Sequence, residues 1–359
     1  MPENYRVVLQ SRPGVEGVPT KENFRHESCP YPGDDLNENE VLIKTLSLSM
    51  DAALRCCMNE DTGVYYLKPW ALNEPVNGSG GVGVIVQSKS AKFEPGDLVV
   101  EWGGWPWQLF FTKLVDDNHP TWGGLTKVQK SLVGDRPSIM LSLLGLTGMT
   151  ALIGIRQKGP IDKEAQQTFV VSGAAGGTGN IAGQVAKLDG CKNVIGICGS
   201  DDKCSYIKNK LGFNFAINYK TENVAERLKE ACPSGIDIYF DNVGGEISNS
   251  VVKQMNPNSK IILCGQIAQY NIDVTYPPKL PDEIEAILKE KNITRDRFLV
   301  LEFASHFPAA MKELAGWLFM GKLKVRETKA EGLENAGNAF ISLMSGGNVG
   351  KQICHVSNP

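Results

Sequence analysis

Three glycines, Gly173, Gly176 and Gly179, lie between an apolar run, Phe169-Val170-Val171, and a stretch in which Ile181, Val185 and Leu188 recur at helical spacing. An apolar β-rich run, a glycine turn and a helix start, in that order, suit one kind of chemistry. The turn lets the backbone approach an anion closely. The helix start adds unpaired N–H groups and the positive end of its dipole. The pyrophosphate of a dinucleotide is the ligand this arrangement fits. Gly179 and Gly183 share a helix face, which allows close packing of helix on sheet. The common fingerprint is G-x-G-x-x-G; here Ala175 breaks it and the spacing is G-x-x-G-x-x-G. Glycine turns that serve packing alone show such spacing too.

The end of the next strand bears on which dinucleotide is bound. A carboxylate about 20 residues past the turn would bind a ribose 2′-hydroxyl. At that distance the chain has Gly199, followed by Ser200, Asp201, Asp202 and Lys203. A glycine leaves room and removes a repelling charge, and Lys203 can face a 2′-phosphate. Asp201 and Asp202 suit the first turn of a following helix, where acids complement the dipole. The reading is NADP(H) rather than NAD(H).

A catalytic zinc site needs thiolate and imidazole ligands. The histidines are His26, His119, His306 and His355, and only His355 adjoins a cysteine, Cys354, in an apparent C-terminal strand. No metal is expected. Without a Lewis acid, a substrate carbonyl must be polarised by hydrogen bonding. Reduction of an enone asks least of such a site: hydride goes to the β-carbon, and a tyrosine hydroxyl can serve the enolate oxygen.

The elements that would position these groups fall into two patterns. From Tyr5 to about Pro137 there are short strands and turns, including Val41–Leu46, Gly81–Val86 and Asp97–Val100, as in a barrel-like all-β module. Trp102, Trp105, Trp107, Phe110 and Phe111 cluster within it, either as core or as an apolar substrate wall. From Ser138 the pattern becomes α/β. A long apolar helix over Ile139–Gln157, broken by Gly145 and Gly148, leads into strands at Phe169–Val171, Val194–Cys198, Ala216–Asn218, Ile236–Asp241, Lys260–Leu263 and Phe298–Leu301. Helices between them predict a doubly wound parallel sheet. The tail, 321–359, returns to strand-and-helix patterning and can rejoin the first module.

A net charge of −3 argues against nucleic acid or an anionic membrane as partner. No unbroken run of 18 apolar residues predicts a membrane span, and the N-terminus lacks a signal peptide's apolar core, so the cytosol is the expected compartment. The nine cysteines are an odd number without a C-x-x-C pair, and read as reduced, mostly buried thiols.

The chain resembles the zinc-independent medium-chain dehydrogenase/reductases, and among them the 15-oxoprostaglandin 13-reductases, over nearly its full length. The matching stretches are Met58–Gly63, Val170–Gly176, Gly196–Gly199, Ala216–Lys220, Tyr239–Gly245, Ile261–Gln266 with Tyr270, Arg297–Leu301 and Gly346–Gln352. The resemblance implies a GroES-like catalytic domain, 1–137 with 321–359, beside a Rossmann domain, 138–320. It implies NADPH as cofactor and 15-oxoprostaglandins or similar small lipid enones as substrates. By position, Gly176, Gly177, Thr178 and Gly179 would hold the pyrophosphate, and Lys203 and Tyr219 the 2′-phosphate. Asn242, at the end of the fourth strand, would also bind the cofactor, and the run Cys264, Gly265, Gln266, Ile267, Ala268, Gln269 and Tyr270 would line it near the nicotinamide. Phe298, Leu299 and Val300 would meet the carboxamide, and Asn348 would close over the cofactor. Tyr270, aided by Tyr66, would hydrogen-bond the reacting region, with the ribose hydroxyl as the alternative partner of the enolate and solvent as the proton source for the α-carbon. Gly103, Gly104, Trp105, Tyr66, Leu299 and Val300 would face the substrate.

Two departures bear on the substrate. Where the family usually has Asp-Pro-Tyr-Met-Arg, this chain has Asp51-Ala52-Ala53-Leu54-Arg55, and an aromatic pair is replaced by Gly103-Gly104. Both remove bulk, so a quinone or short alkenal reductase is the rival enzyme reading; an NADPH-binding protein without turnover is the rival of another class. Related enzymes dimerise through the last strand of the sheet, so monomer and homodimer both stand open. Pro277–Pro281 reads as a stiff extended segment that frames the pocket.

Overall fold

The computed structural model describes residues 2–33, 35–115, 124–274 and 277–359, so His119 lies outside the described residues. The chain divides into two units: Met1–Gly145 with Glu327–Asn348 and Gln352–Pro359, and Leu146–Arg326 with Val349–Lys351.

In the first unit, the largely buried strand Glu40–Ser49 pairs antiparallel with Gly81–Ser88 at the centre of a sheet. Its path runs Glu327–Glu331, Lys351–His355, Glu40–Ser49, Gly81–Ser88, Leu98–Glu101, Thr126–Lys127, and Phe110–Leu114 also pairs with Glu40–Ser49. The aromatic cluster fills this unit's interior: Trp102, Trp105, Trp107 and Phe111 are all buried. Trp105 Nε1 donates to Thr45 Oγ1 at 3.1 Å and its ring meets Phe111 edge-on at 5.2 Å. Core packing, and not an open wall, is therefore the cluster's role.

The second unit is the doubly wound sheet. Its strands are β1 (Thr168–Ser172), β2 (Asn193–Cys198), β3 (Phe215–Asn218), β4 (Ile236–Asp241), β5 (Met255–Leu263) and β6 (Thr294–Arg297). All pairings are parallel, and the spatial order is β3-β2-β1-β4-β5-β6. Helices α1 (Gly177–Leu188), α2 (Asp201–Asn209), α3 (Val224–Ala231), α4 (Gly245–Val252) and α5 (Asp282–Glu290) lie between them in sequence. β1 is buried along its whole length, as a central parallel strand covered on both faces must be.

Two expectations are corrected. The apolar run from Ile139 is not one helix: a 3-10 turn, Pro137–Leu141, precedes the helix Leu146–Lys158. Pro137 opens the turn. Ser138 and Ser142 then turn their hydroxyls to the buried carboxylate of Glu327, at 2.8 and 2.6 Å, which favours the break over continued winding. The last strand is Thr294–Arg297 and not Phe298–Leu301. Its ladder ends where β5 ends, with Leu263 opposite Arg297, because the backbone of Cys264 and Gly265 turns to the Asp241 carbonyl. The edge strand thus carries Arg295, Asp296 and Arg297, charges that blunt edge pairing. No helix among the described residues is long and apolar enough to cross a membrane. All nine cysteines are free.

Gly183 tests the helix–sheet contact. A β-carbon there would lie 1.9 Å from Phe213 Cζ. Gly183→Ala should therefore destabilise the protein by about 1–3 kcal/mol through overpacking, read as a lower urea midpoint. An unchanged midpoint would show that Phe213 yields without cost.

Candidate functional site

A parallel sheet delivers its loops to one edge, and here each strand hands over a candidate residue just past its end. β1 leads to the glycine turn, β2 to Gly199, β3 to Tyr219, β4 to Asn242, β5 to Cys264 and β6 to Phe298. The ladders keep these ends in step: Ser172 pairs with Ile197, Cys198 with Asn218, Asp241 with Leu263, and Leu263 with Arg297. The strand order reverses between β1 and β4, the switch point at which open α/β sheets bind ligands.

The turn after β1 begins with Gly173 at φ +60°, and Gly176 is the extended N-cap of α1. A β-carbon on Gly179 would fall 2.3 Å from the Gly173 carbonyl oxygen, so only glycine lets the helix start this close to the turn. The first-turn N–H groups have no acceptor within their own helix, and together with the dipole they favour an anion. The tail segment straps the turn from outside: Gly350 N–H donates to the Ala175 carbonyl at 2.7 Å.

At the end of β2 stand Gly199, Ser200 and Lys203, with Asp201 and Asp202 in the same helix turn. A β-carbon on Gly199 would press the Tyr219 ring at 3.0 Å, so the glycine makes room for that ring, which is 44% exposed. Ser200 caps α2 by accepting from the Lys203 N–H at 3.3 Å, which sets Lys203 in the first turn. Burial lowers the Lys203 pKa, with Cys198 opposing it and the like charge of Lys220 adding a smaller push in the same direction as burial. Two lysine charges held near each other are relieved by a bound anion. Asp201 accepts from Asn218 Nδ2 at 2.7 Å. These residues fit a 2′-phosphate better than a free ribose hydroxyl.

The other end is built on Asp241, which the sequence reading passes over. Its carboxylate accepts from Ser172 Oγ (3.2 Å), Tyr239 Oη (2.9 Å), Ser248 Oγ (2.7 Å) and the N–H groups of Val243 (3.0 Å) and Gly244 (2.9 Å). Burial, and then this neighbouring charge, raise the Tyr239 pKa well above its usual value. The only sequence signal was polar residues, Ser172 and Asp241, ending otherwise apolar strands.

Asn242 Nδ2 donates back to the Ser172 carbonyl at 2.8 Å. The next loop, Cys264–Tyr270, hangs from the same place. Cys264 and Gly265 donate to the Asp241 carbonyl at 2.9 and 3.0 Å, and Ala268 to the Val243 carbonyl at 3.0 Å. Burial, followed by the Asp241 charge, pushes the Cys264 thiol up to about 12, so it is not a nucleophile at neutral pH. Tyr270 curls back over this loop, its hydroxyl accepting from the Gln266 N–H at 3.5 Å. Gln266 is buried, Gln269, Leu299 and Ile267 are half-buried, and Ala268 is exposed. Phe298 is buried against Phe303, with ring centres 5.4 Å apart, and Val300 is buried.

The remaining candidates, Tyr66, Gly103, Gly104, Trp105 and Asn348, belong to the first unit. Tyr66 is half-buried, edge-on to Tyr65 at 5.5 Å. Gly103 and Gly104 have φ of +113° and +72° on an open loop. Trp105 has no exposed surface, so its ring lies in the core and shapes this loop from below. Asn348 is buried. Arg55, in the departing segment, is buried too, and donates to Asn59 Oδ1 and the carbonyls of Gly14, Val15 and Gly17 at 2.7–3.0 Å. Among the described residues no group of three His, Cys, Asp or Glu side chains could hold a metal ion. Cys354 donates its thiol proton to the Gly332 carbonyl at 3.2 Å.

Comparison with known proteins adds a second line. Residues 6–112 match the N-terminal domain of oxidoreductase and residues 177–315 the zinc-binding dehydrogenase family. The putative NADP-dependent oxidoreductase YfmJ of Bacillus subtilis is 39% identical over 99% of this chain and 98% of its own. Prostaglandin reductase 1 of Rattus norvegicus is 35% identical over 94% of this chain and 95% of its own. The crystal structure of CurA in complex with NADPH from Vibrio vulnificus superposes with a TM-score of 0.87 at 33% identity, covering 99% of this chain and 100% of that one.

The turn is testable alone. Gly179→Val should abolish retention on immobilised adenosine 2′,5′-bisphosphate while far-UV circular dichroism keeps its shape. Undiminished retention would show that the anion does not lie on this helix start.

Proposed function

This chain belongs to the zinc-independent medium-chain dehydrogenase/reductase family and is an NADPH-dependent oxidoreductase; on that footing we propose that it reduces the conjugated C=C bond of enones, with 15-oxoprostaglandins, at their 13,14-double bond, as the preferred class. Within the family, the finer reading we propose, from the stretches quoted in the sequence, is prostaglandin reductase 2. The observation that carries the reading is the pairing of two groups along one row of strand ends: Gly199, Lys203 and Tyr219 past β2 and β3, and a tyrosine, Tyr270, on the loop after β5. The full-length likeness to prostaglandin reductase 1 supports the substrate class.

Bound NADPH would supply the hydride. Gly176–Gly179 would take its pyrophosphate, Lys203 and Tyr219 its 2′-phosphate, and Asn242, Cys264–Tyr270, Phe298–Val300 and Asn348 its reactive end. The Tyr270 hydroxyl, already accepting from a backbone N–H, is a stronger donor for doing so. It donates to the enone oxygen as negative charge grows there, with Tyr66 as its helper. A preorganised donor of this kind acts on the transition state more than on the bound substrate. Water delivers the proton to the α-carbon. Quinones or short alkenals are the second reading, favoured by the open loop at Gly103-Gly104, where a β-carbon on Gly103 would meet nothing within 4 Å.

NADPH oxidation followed by absorbance, with a 15-oxoprostaglandin and a small quinone in parallel and NADH as control, decides between them. NADPH-only turnover of the prostaglandin is the expected result; turnover of the quinone alone would replace the substrate class. Tyr270→Phe should lower kcat/KM for the enone by about 10²-fold, with the NADPH KM within about twofold. An unchanged kcat/KM would remove the hydroxyl from the reaction. Lys203→Ala should raise the NADPH KM about tenfold, as expected for a lost charge-assisted contact, and leave that for NADH unchanged. An equal change for both would place the 2′-phosphate elsewhere.

A further inference from the structure

We infer that Asp241 is the positioning residue of the cofactor's reactive end: its carboxylate fixes the loop after β4 and, through it, the loop that carries Tyr270. The inference rests on the reading above that Asn242 and Cys264–Tyr270 hold that end.

Asp241 closes β4 and is 1% exposed. A carboxylate so buried is costly unless donors surround it. Five neutral donors converge on it, from three elements: Ser172 at the end of β1, Tyr239 on β4 with Val243 and Gly244 just beyond, and Ser248 on α4. The geometry divides the work. Oδ1 takes the two backbone N–H groups, which folds the chain back after Asn242, with Gly244 at φ +75°. Oδ2 takes Ser248 and so ties the start of α4 to the strand end.

The same residue also acts through its main chain. Its carbonyl receives the N–H groups of Cys264 and Gly265, and the carbonyls of Asn242 and Val243 receive Ile267 and Ala268, at 3.4 and 3.0 Å. Gln266, whose N–H meets the Tyr270 hydroxyl, lies against Gly244: a β-carbon there would touch its Cβ and Cγ at 3.1 Å. A loop held by the Asp241 side chain is therefore the surface on which the Tyr270 loop is laid. None of these contacts involves Gly199, Lys203 or Tyr219 at the end of β2 and β3.

That separation gives a readout that a merely structural role would not produce. Asp241→Ala leaves the Val243 and Gly244 N–H groups without their acceptor. Asp241→Asn keeps an acceptor at Oδ1 and places its amide against Ser248, whose hydroxyl can accept in turn. Kd is measured for NADPH and for adenosine 2′,5′-bisphosphate, which carries the 2′-phosphate and the adenosine-side phosphate but lacks the nicotinamide half. Asp241→Ala should weaken NADPH about tenfold, the effect of unsatisfied buried donors, and adenosine 2′,5′-bisphosphate by less than about twofold; Asp241→Asn should recover most of the NADPH loss. Unchanged NADPH binding, or equal weakening of both ligands, would overturn the inference. If Asp241→Ala does not fold, Ser248→Ala, which removes one donor, must show the same split at smaller size or the inference fails. No substrate is needed, so an enzyme that binds NADPH but reduces no enone would sink the proposed reaction and leave this result standing.

Discussion

The parallel register of the second unit is the constraint on which the rest depends. Parallel strands must all return through helices before they can pair, so every strand ends on the same edge. Ser172, Cys198, Asn218, Asp241, Leu263 and Arg297 end their strands in step. The chain can then place one chemical group per strand along a single edge, from Lys203 and Tyr219 past β2 and β3 to the loop that carries Tyr270 past β5. A slip of one residue in any ladder would also turn its buried apolar side chains to the opposite face. The packing that keeps β1 wholly buried thus also keeps the site in line.

Around that edge, small residues and buried polar groups divide the labour. Glycines set distances: Gly179 lets α1 begin against the turn, and Gly199 lets the Tyr219 ring cover the end of β2. Buried polar groups set directions. Glu327 draws in Ser138 and Ser142 beside the point where one unit gives way to the next in sequence, Arg55 gathers the carbonyls of Gly14, Val15 and Gly17, and Asp241 gathers the loops after β4 and β5. Such groups contribute little net stability once satisfied, yet leaving one partner unmade is costly. They make the loop geometry nearly all-or-none, which suits a site that must hold its donors still.

The protein uses no charged residue as its expected hydrogen-bond donor at the reacting end. Cys264, at the start of the loop that carries Tyr270, is held protonated by burial. Reduction of an enone requires only that a donor be present as negative charge develops on oxygen.

Much of this was legible in the residues. The strand–glycine turn–helix pattern was legible as such, and the structure has the turn between β1 and α1. Gly199 and Lys203 pointed to NADPH, because one glycine removes both bulk and charge. The alternation of strands and helices identified the doubly wound sheet. Tertiary structure decided what depends on partners distant in sequence. Trp105 went to the core, since burial of an indole is settled by what surrounds it. The last strand stopped at Arg297, since a ladder lasts only as long as its neighbour. Asp241 became the hub of two loops, since a lone aspartate in a sequence gives no sign of the five donors that folding brings to it.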